Sequence, residues 1–161
     1  MAHQTDVVAA CEWLDEAFSG PAWHGPALRP ALSGVDETLA AWRPARGRHN
    51  IWEIALHAAF WKHVVRGRLS RAAIERFPYV GRNWFERPGG SRGGAERTWT
   101  DDLTLLRDEH AQLRAAVAAL SPRDGSRRLR NGQTAAENIR GIAAHDVYHA
   151  GQIRLIRALR G

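Results

Sequence analysis

The 161-residue sequence predicts an all-α protein, one domain over residues 1–161 arranged as a four-helix bundle. Three observations carry this. Four long segments place apolar residues at helical spacing. Helix-start and helix-stop residues bracket them. No stretch alternates with period two for long enough to make a strand.

The first helix is expected over about 5–19, where Val7, Cys11, Leu14 and Phe18 share a face and Gly20-Pro21 ends it. Residues 22–48 keep helical spacing at Leu28, Leu32, Val35, Leu39 and Trp42. Pro30 and Ser33-Gly34 interrupt them, so one or two short helical pieces are expected. The second long helix is expected over about 51–68, capped by Asn50, with Glu53 in the reciprocal capping position. Ile54, His57, Trp61 and Val64/Val65 form its inward stripe. Residues 70–98 contain FPYVGRNWFERPGGSRGGAER, too rich in glycine and proline for a long element. A connection of that length is either a flexible crossover or a cover for a site. The third helix is expected over about 100–120, with Leu103, Leu106, His110, Leu113, Val117 and Leu120 on one stripe. The fourth is expected over about 135–160, started by the capping box Thr134-x-x-Glu137.

Composition narrows the function classes. Apolar content of 44% and charged content of 25% are ordinary globular values. The one cysteine, Cys11, permits no internal disulfide and fits a cytoplasmic setting. No signal-peptide pattern and no membrane span are expected. The formal charge is +6, and of 23 basic residues only Lys62 is lysine. The arginines are scattered rather than blocked, which argues for solvated helix faces over a nucleic-acid surface.

The chemistry concentrates in AAHDVYHAGQIRLI, residues 143–156. His145 and His149 are four apart, so on a helix both imidazoles can reach one ion. They share a stripe with Ile142, Gln152/Ile153 and Ile156, where a buried polar group needs a partner. The pair alone is a weak signal. His57, inward on the second helix, offers a third ligand, and facing helices of a bundle build metal sites in this way. His110, on the third helix's apolar stripe, reads as a hydrogen-bonded core residue or an outer partner of the site. His63 points away from the His57 face, and His3, His24 and His49 lie outside the long helices.

NIWEIALHAAFW at 50–61 together with AHDVYHAGQI at 144–153 resembles the DinB/YfiT-like family of bacterial metalloproteins. The resemblance extends to AWHGPAL at 22–28 and the long loop before the third helix. It implies a DinB-like four-helix bundle with a divalent metal on three histidines, which map to His57, His145 and His149. Family members are often dimers, so a homodimer is expected. Some relatives are transferases or isomerases that use a low-molecular-weight thiol such as bacillithiol or mycothiol.

Three protein ligands leave a coordination position open, as in catalytic sites. Zinc or nickel suits imidazole, and either makes a bound water more acidic or ionises a bound thiol. The leading expectation is an enzyme that activates a thiol cofactor for S-transfer or isomerisation on a small electrophile, in stress or detoxification. The alternative is a metal-dependent hydrolase, with Asp146 in the position of the glutamate of H-E-x-x-H. Asp146 could equally hydrogen-bond at the helix surface. A third reading is a non-catalytic metal-binding or DNA-associated stress protein.

Neighbouring residues carry paired expectations. Glu53 orients His57 or only caps its helix. Gln152 bonds near the open position or faces water, and Tyr148 donates a proton there or packs between helices. Trp84 and Phe85 line a substrate pocket or join the core. Gly151 admits a close neighbouring helix.

Overall fold

The computed structural model describes residues 7–89 and 96–161. His3, Thr5 and residues 90–95 of the long connection lie outside that range. Six α-helices are described: α1 (Val7–Phe18), α2 (Leu28–Leu32), α3 (Glu37–Ala41), α4 (Ile51–Leu69), α5 (Trp99–Ala118) and α6 (Ala135–Arg160). The four long ones form the expected bundle. α4 packs on α5 and α6, and α1 packs on the same two helices. The short α2 and α3 are the helical pieces expected in 22–48; α2 lies on α6 and α3 on α4. No strand occurs among the described residues, only an isolated bridge between Arg128 and Thr134. No helix there is long and apolar enough to cross a membrane.

Local chemistry sets the ends. Asn50 accepts from Glu53 N at 2.9 Å to start α4. Thr98–Asp101 and Thr134–Glu137 form full capping boxes at α5 and α6. Only the second of these boxes is among the sequence expectations. The box expected at Asn50 is half made, because the Glu53 carboxylate is engaged elsewhere.

α4 differs from the amphipathic reading. Residues Ile51 to Ala59 are buried without interruption, because α3, α5, α6 and the long connection surround this half of the helix. Such an element buries every face, and a one-stripe pattern does not describe it.

The core has two parts. One gathers α2, the first half of α4, the start of α5 and the end of α6, including Trp52, Leu56, Leu106 and Ile153. The other gathers α1, the end of α4, the end of α5 and the start of α6, including Leu14, Val65, Leu113 and Ile139. Between them, along the helices, fall buried polar residues: His57 and Lys62 on α4, Glu109 and His110 on α5, Asp146 and His149 on α6. This interruption of the apolar core holds the candidate site.

The long connection is anchored over its described part. Tyr79 and Phe85 are core residues. The buried carboxylate of Asp102 accepts from Tyr79 Oη at 2.5 Å, Trp52 Nε1 at 2.8 Å and Arg97 Nε at 2.8 Å. These bonds tie the loop to α4 and α5 and bring Asn83 and Trp84 over His57.

Candidate metal centre

His57 sits on α4, about two turns beyond the capped start of the helix, and His145 and His149 lie one turn apart on α6. Their Nε2 atoms converge. His145 Nε2 is 3.0 Å from His57 Nε2 and 3.0 Å from His149 Nε2. The three residues form a group whose ligand atoms lie within 4.8 Å of one another. His57 and His149 are buried, and His145 is half-buried.

The outer nitrogens fix the tautomers. His57 Nδ1 donates to the backbone carbonyl of Asn83 at 2.7 Å, and a carbonyl can only accept. His149 Nδ1 donates to Gln152 Oε1 at 2.7 Å, and Gln152 Nε2 donates in turn to Tyr148 Oη at 3.0 Å. Both rings therefore turn a lone pair toward His145 Nε2. A single proton on His145 Nε2 serves only one of them, and His145 Nδ1 is buried without a partner among the described residues. A cation resolves this conflict. At about 2.0–2.1 Å from each nitrogen, tetrahedral zinc spaces its donors about 3.3 Å apart, close to the observed 3.0 Å.

Electrostatics agrees. Burial lowers the His57 imidazole below its ordinary value. Burial, with His149, His57 and Lys62 nearby, pushes His145 down to about 3. Burial brings His149 to about 4 despite its bond to Gln152. All three are neutral at pH 7 and offer lone pairs without first losing a proton.

Two aromatic contacts complete the wall. Trp84 stacks on His57 with ring centroids 3.9 Å apart and on His49 at 3.6 Å, so it lies between the two imidazoles. Asn83 has φ +75°, the left-handed region that asparagine tolerates better than most residues. Its side-chain oxygen accepts from Trp61 Nε1 at 2.8 Å while its carbonyl takes the His57 proton.

Several expectations are corrected. Asp146 is not at the helix surface. It is fully buried in an ion pair with Lys62, itself fully buried. Burial pulls Lys62 below and Asp146 above their ordinary values, and each ion opposes the other's shift. Lys62 engages Oδ2 of this carboxylate, and Oδ1 is buried with no hydrogen-bond partner among the described residues. Glu53 does not orient His57. It binds Arg43, His49 Nδ1 at 2.8 Å and Arg87 N at 3.1 Å. Burial raises its carboxyl, but Arg43 and His49 bring it below the ordinary value. Tyr148 is 63% exposed and does not pack between helices. Gly151 is exposed with open space where a Cβ would stand, so no neighbouring helix among the described residues approaches there. His110 stacks on Phe18 at 3.8 Å, and its Nδ1 has no hydrogen-bond partner among the described residues.

A second polar group, His63, Glu75 and Glu109, also has metal-like proximity. Arg66 fills it. Its guanidinium reaches Glu75, Glu109 Oε2 at 3.2 Å and His63 Nδ1 at 3.3 Å, so the cation of that cluster is already a side chain.

Sequence reasoning missed Asn83, the Lys62–Asp146 pair and the seat of Trp84. Two faint signals existed: a single lysine among many arginines, and an asparagine two residues after Gly81 in a turn-rich loop.

The fold and site define a helical-bundle protein with a three-histidine group able to hold a metal. The profile of the DinB superfamily matches residues 22–153, and the chain belongs to that superfamily. No curated protein and no solved structure shows significant similarity to the chain.

Proposed function

We propose that His57, His145 and His149 hold a divalent ion, zinc or nickel. In this reading, residues 1–161 are one cytoplasmic, metal-dependent enzyme domain that activates a thiol cofactor. The observation that carries it is the convergence of three neutral Nε2 atoms with two outer nitrogens already committed. The DinB membership supports the same ligand set.

The bound ion would supply Lewis acidity that ionises a thiol at neutral pH. The chain's own residues do the rest. Asn83 and Gln152 hold His57 and His149 in the tautomer that presents Nε2. Trp84 shields one face of His57 from water. Tyr148 Oη accepts from Gln152 and is exposed, and in this reading it would exchange a proton with solvent. A bacillithiol- or mycothiol-like cofactor and a small electrophile would then join in S-transfer or isomerisation. The hydrolase alternative has less support, because Asp146 is engaged by Lys62.

Elemental analysis tests the site. Purified protein should carry close to one zinc or nickel, and His57→Ala, His145→Ala and His149→Ala should each lose it. Metal retained in all three variants sinks the assignment. Thiol consumption with several bacterial thiols and a panel of electrophiles tests the chemistry: turnover only in metal-loaded protein is expected, and none with any thiol removes the transferase reading.

A further inference from the structure

Two clefts share Arg48, His49 and Trp84 in their walls. One, of about 470 Å³, is otherwise mainly apolar, with Ile54 of α4 and Leu155 and Leu159 of α6. Leu155 and Leu159 are each 61% exposed, among the most exposed large apolar side chains described. The other, of about 560 Å³, is lined by Arg43, Arg46, Arg48, Glu53 and Glu86. There Arg43 pairs with Glu53 and also lies in the field of Glu86. The guanidinium groups of Arg46 and Arg48 have no partner among the described residues.

From this juxtaposition we infer that a small organic acid binds across the two neighbouring clefts, its carboxylate on Arg48 and Arg46 and its apolar body against Leu155 and Leu159. The arginine fork matches a carboxylate in two parallel hydrogen bonds. An apolar wall with a few convergent polar groups, in a volume within about 300–1,000 Å³, is the usual form of a small-molecule site. Unpaired arginines select the anion, and exposed leucines select a body that leaves water on binding. A wholly hydrophilic anion or a neutral apolar molecule satisfies only one of the two clefts.

The cleft adjoins the three-histidine group through shared supports. Trp84 stacks on His57, and Gln152, which lines the apolar cleft, holds His149 Nδ1. As the substrate subsite of the proposed enzyme, it rests on the metal reading. As a binding site, it stands on the cleft alone.

Calorimetry with 1-naphthoate and its neutral counterpart 1-naphthylmethanol tests the inference at pH 7. Naphthoate should bind at least tenfold more tightly. The exposed double change Arg46→Gln/Arg48→Gln should abolish that preference, and Leu155→Asn/Leu159→Asn should weaken both probes. Equal affinity for the two probes, a preference that survives loss of both arginines, or a self-associated dimer that excludes naphthoate overturns it. Metal content is measured on the same samples. Naphthoate binding by protein that carries no metal defeats the metal reading and leaves the cleft standing; metal-loaded protein that ignores naphthoate does the reverse.

Discussion

The Nδ1 proton of His57 is held by the main-chain carbonyl of Asn83, 2.7 Å away across the long connection. The bond is made by a residue in the left-handed conformation, so the loop's backbone shape and the ring's tautomer are coupled. Asn83→Gly keeps access to that conformation and loses only the bond from Trp61. Asn83→Val loses the bond and strains the backbone, which costs about 1–2 kcal/mol. Urea denaturation should rank wild type above Asn83→Gly and Asn83→Gly above Asn83→Val; a reversal of the two variants would contradict the conformational account.

Gln152 should act on metal affinity through His149 rather than on the fold. The residue is half-buried near the end of α6 and accepts the Nδ1 proton at 2.7 Å. Loss of such an outer partner costs about 10–100-fold in affinity. Chelator competition should show that loss for Gln152→Ala and a smaller change for Gln152→Glu, which keeps an acceptor, with circular dichroism unchanged in both. Equal affinity of Gln152→Ala and wild type would remove Gln152 from the site.

Lys62 and Asp146 join α4 to α6 beside the ligand histidines, with both side chains fully buried. Removing one partner leaves an uncompensated ion in the core, at a cost of about 3–5 kcal/mol. Replacing both with apolar groups removes that penalty. In metal-free protein, Lys62→Met should be markedly less stable than Lys62→Met/Asp146→Leu. If the double variant is the worse of the two, the pair contributes more than charge compensation.

His110 makes stability depend on pH. Burial, helped by Lys62, brings its imidazole from the ordinary 6.5 down to about 3. The unfolded chain therefore binds a proton that the folded protein refuses across that window. Stability from this residue is complete above about pH 6.5 and is lost as pH falls toward 3, by on the order of 1.4 kcal/mol per pH unit. His57, His145 and His149 act in the same direction in both proteins, so the comparison with His110→Leu isolates the residue. Denaturation of chelated protein between pH 6.5 and 4 should give a shallower slope for His110→Leu; parallel slopes would assign the acid sensitivity elsewhere.

Much of this protein is local in its sequence. The existence of the four long helices was legible from apolar spacing and end signals, though not the all-round burial of α4, and Asn50 and Thr134 cap where the chain changes composition, because capping involves residues three apart. The His145–His149 pair needs only the pitch of one helix. His57 as the third member could be inferred because a bundle turns apolar stripes toward one another, and the DinB membership of residues 22–153 agrees.

Tertiary structure alone decided what those histidines touch. Asn83 is 26 residues from His57 and Lys62 is 84 from Asp146, separations across which no periodicity carries information. Asp146 looked free to serve as a base or face water; packing buried it on the chain's only lysine. Glu53, one turn from His57, was drawn to Arg43 and His49 instead. A buried charge is matched by whichever opposite charge the fold brings within reach, and long-range packing determines which one that is.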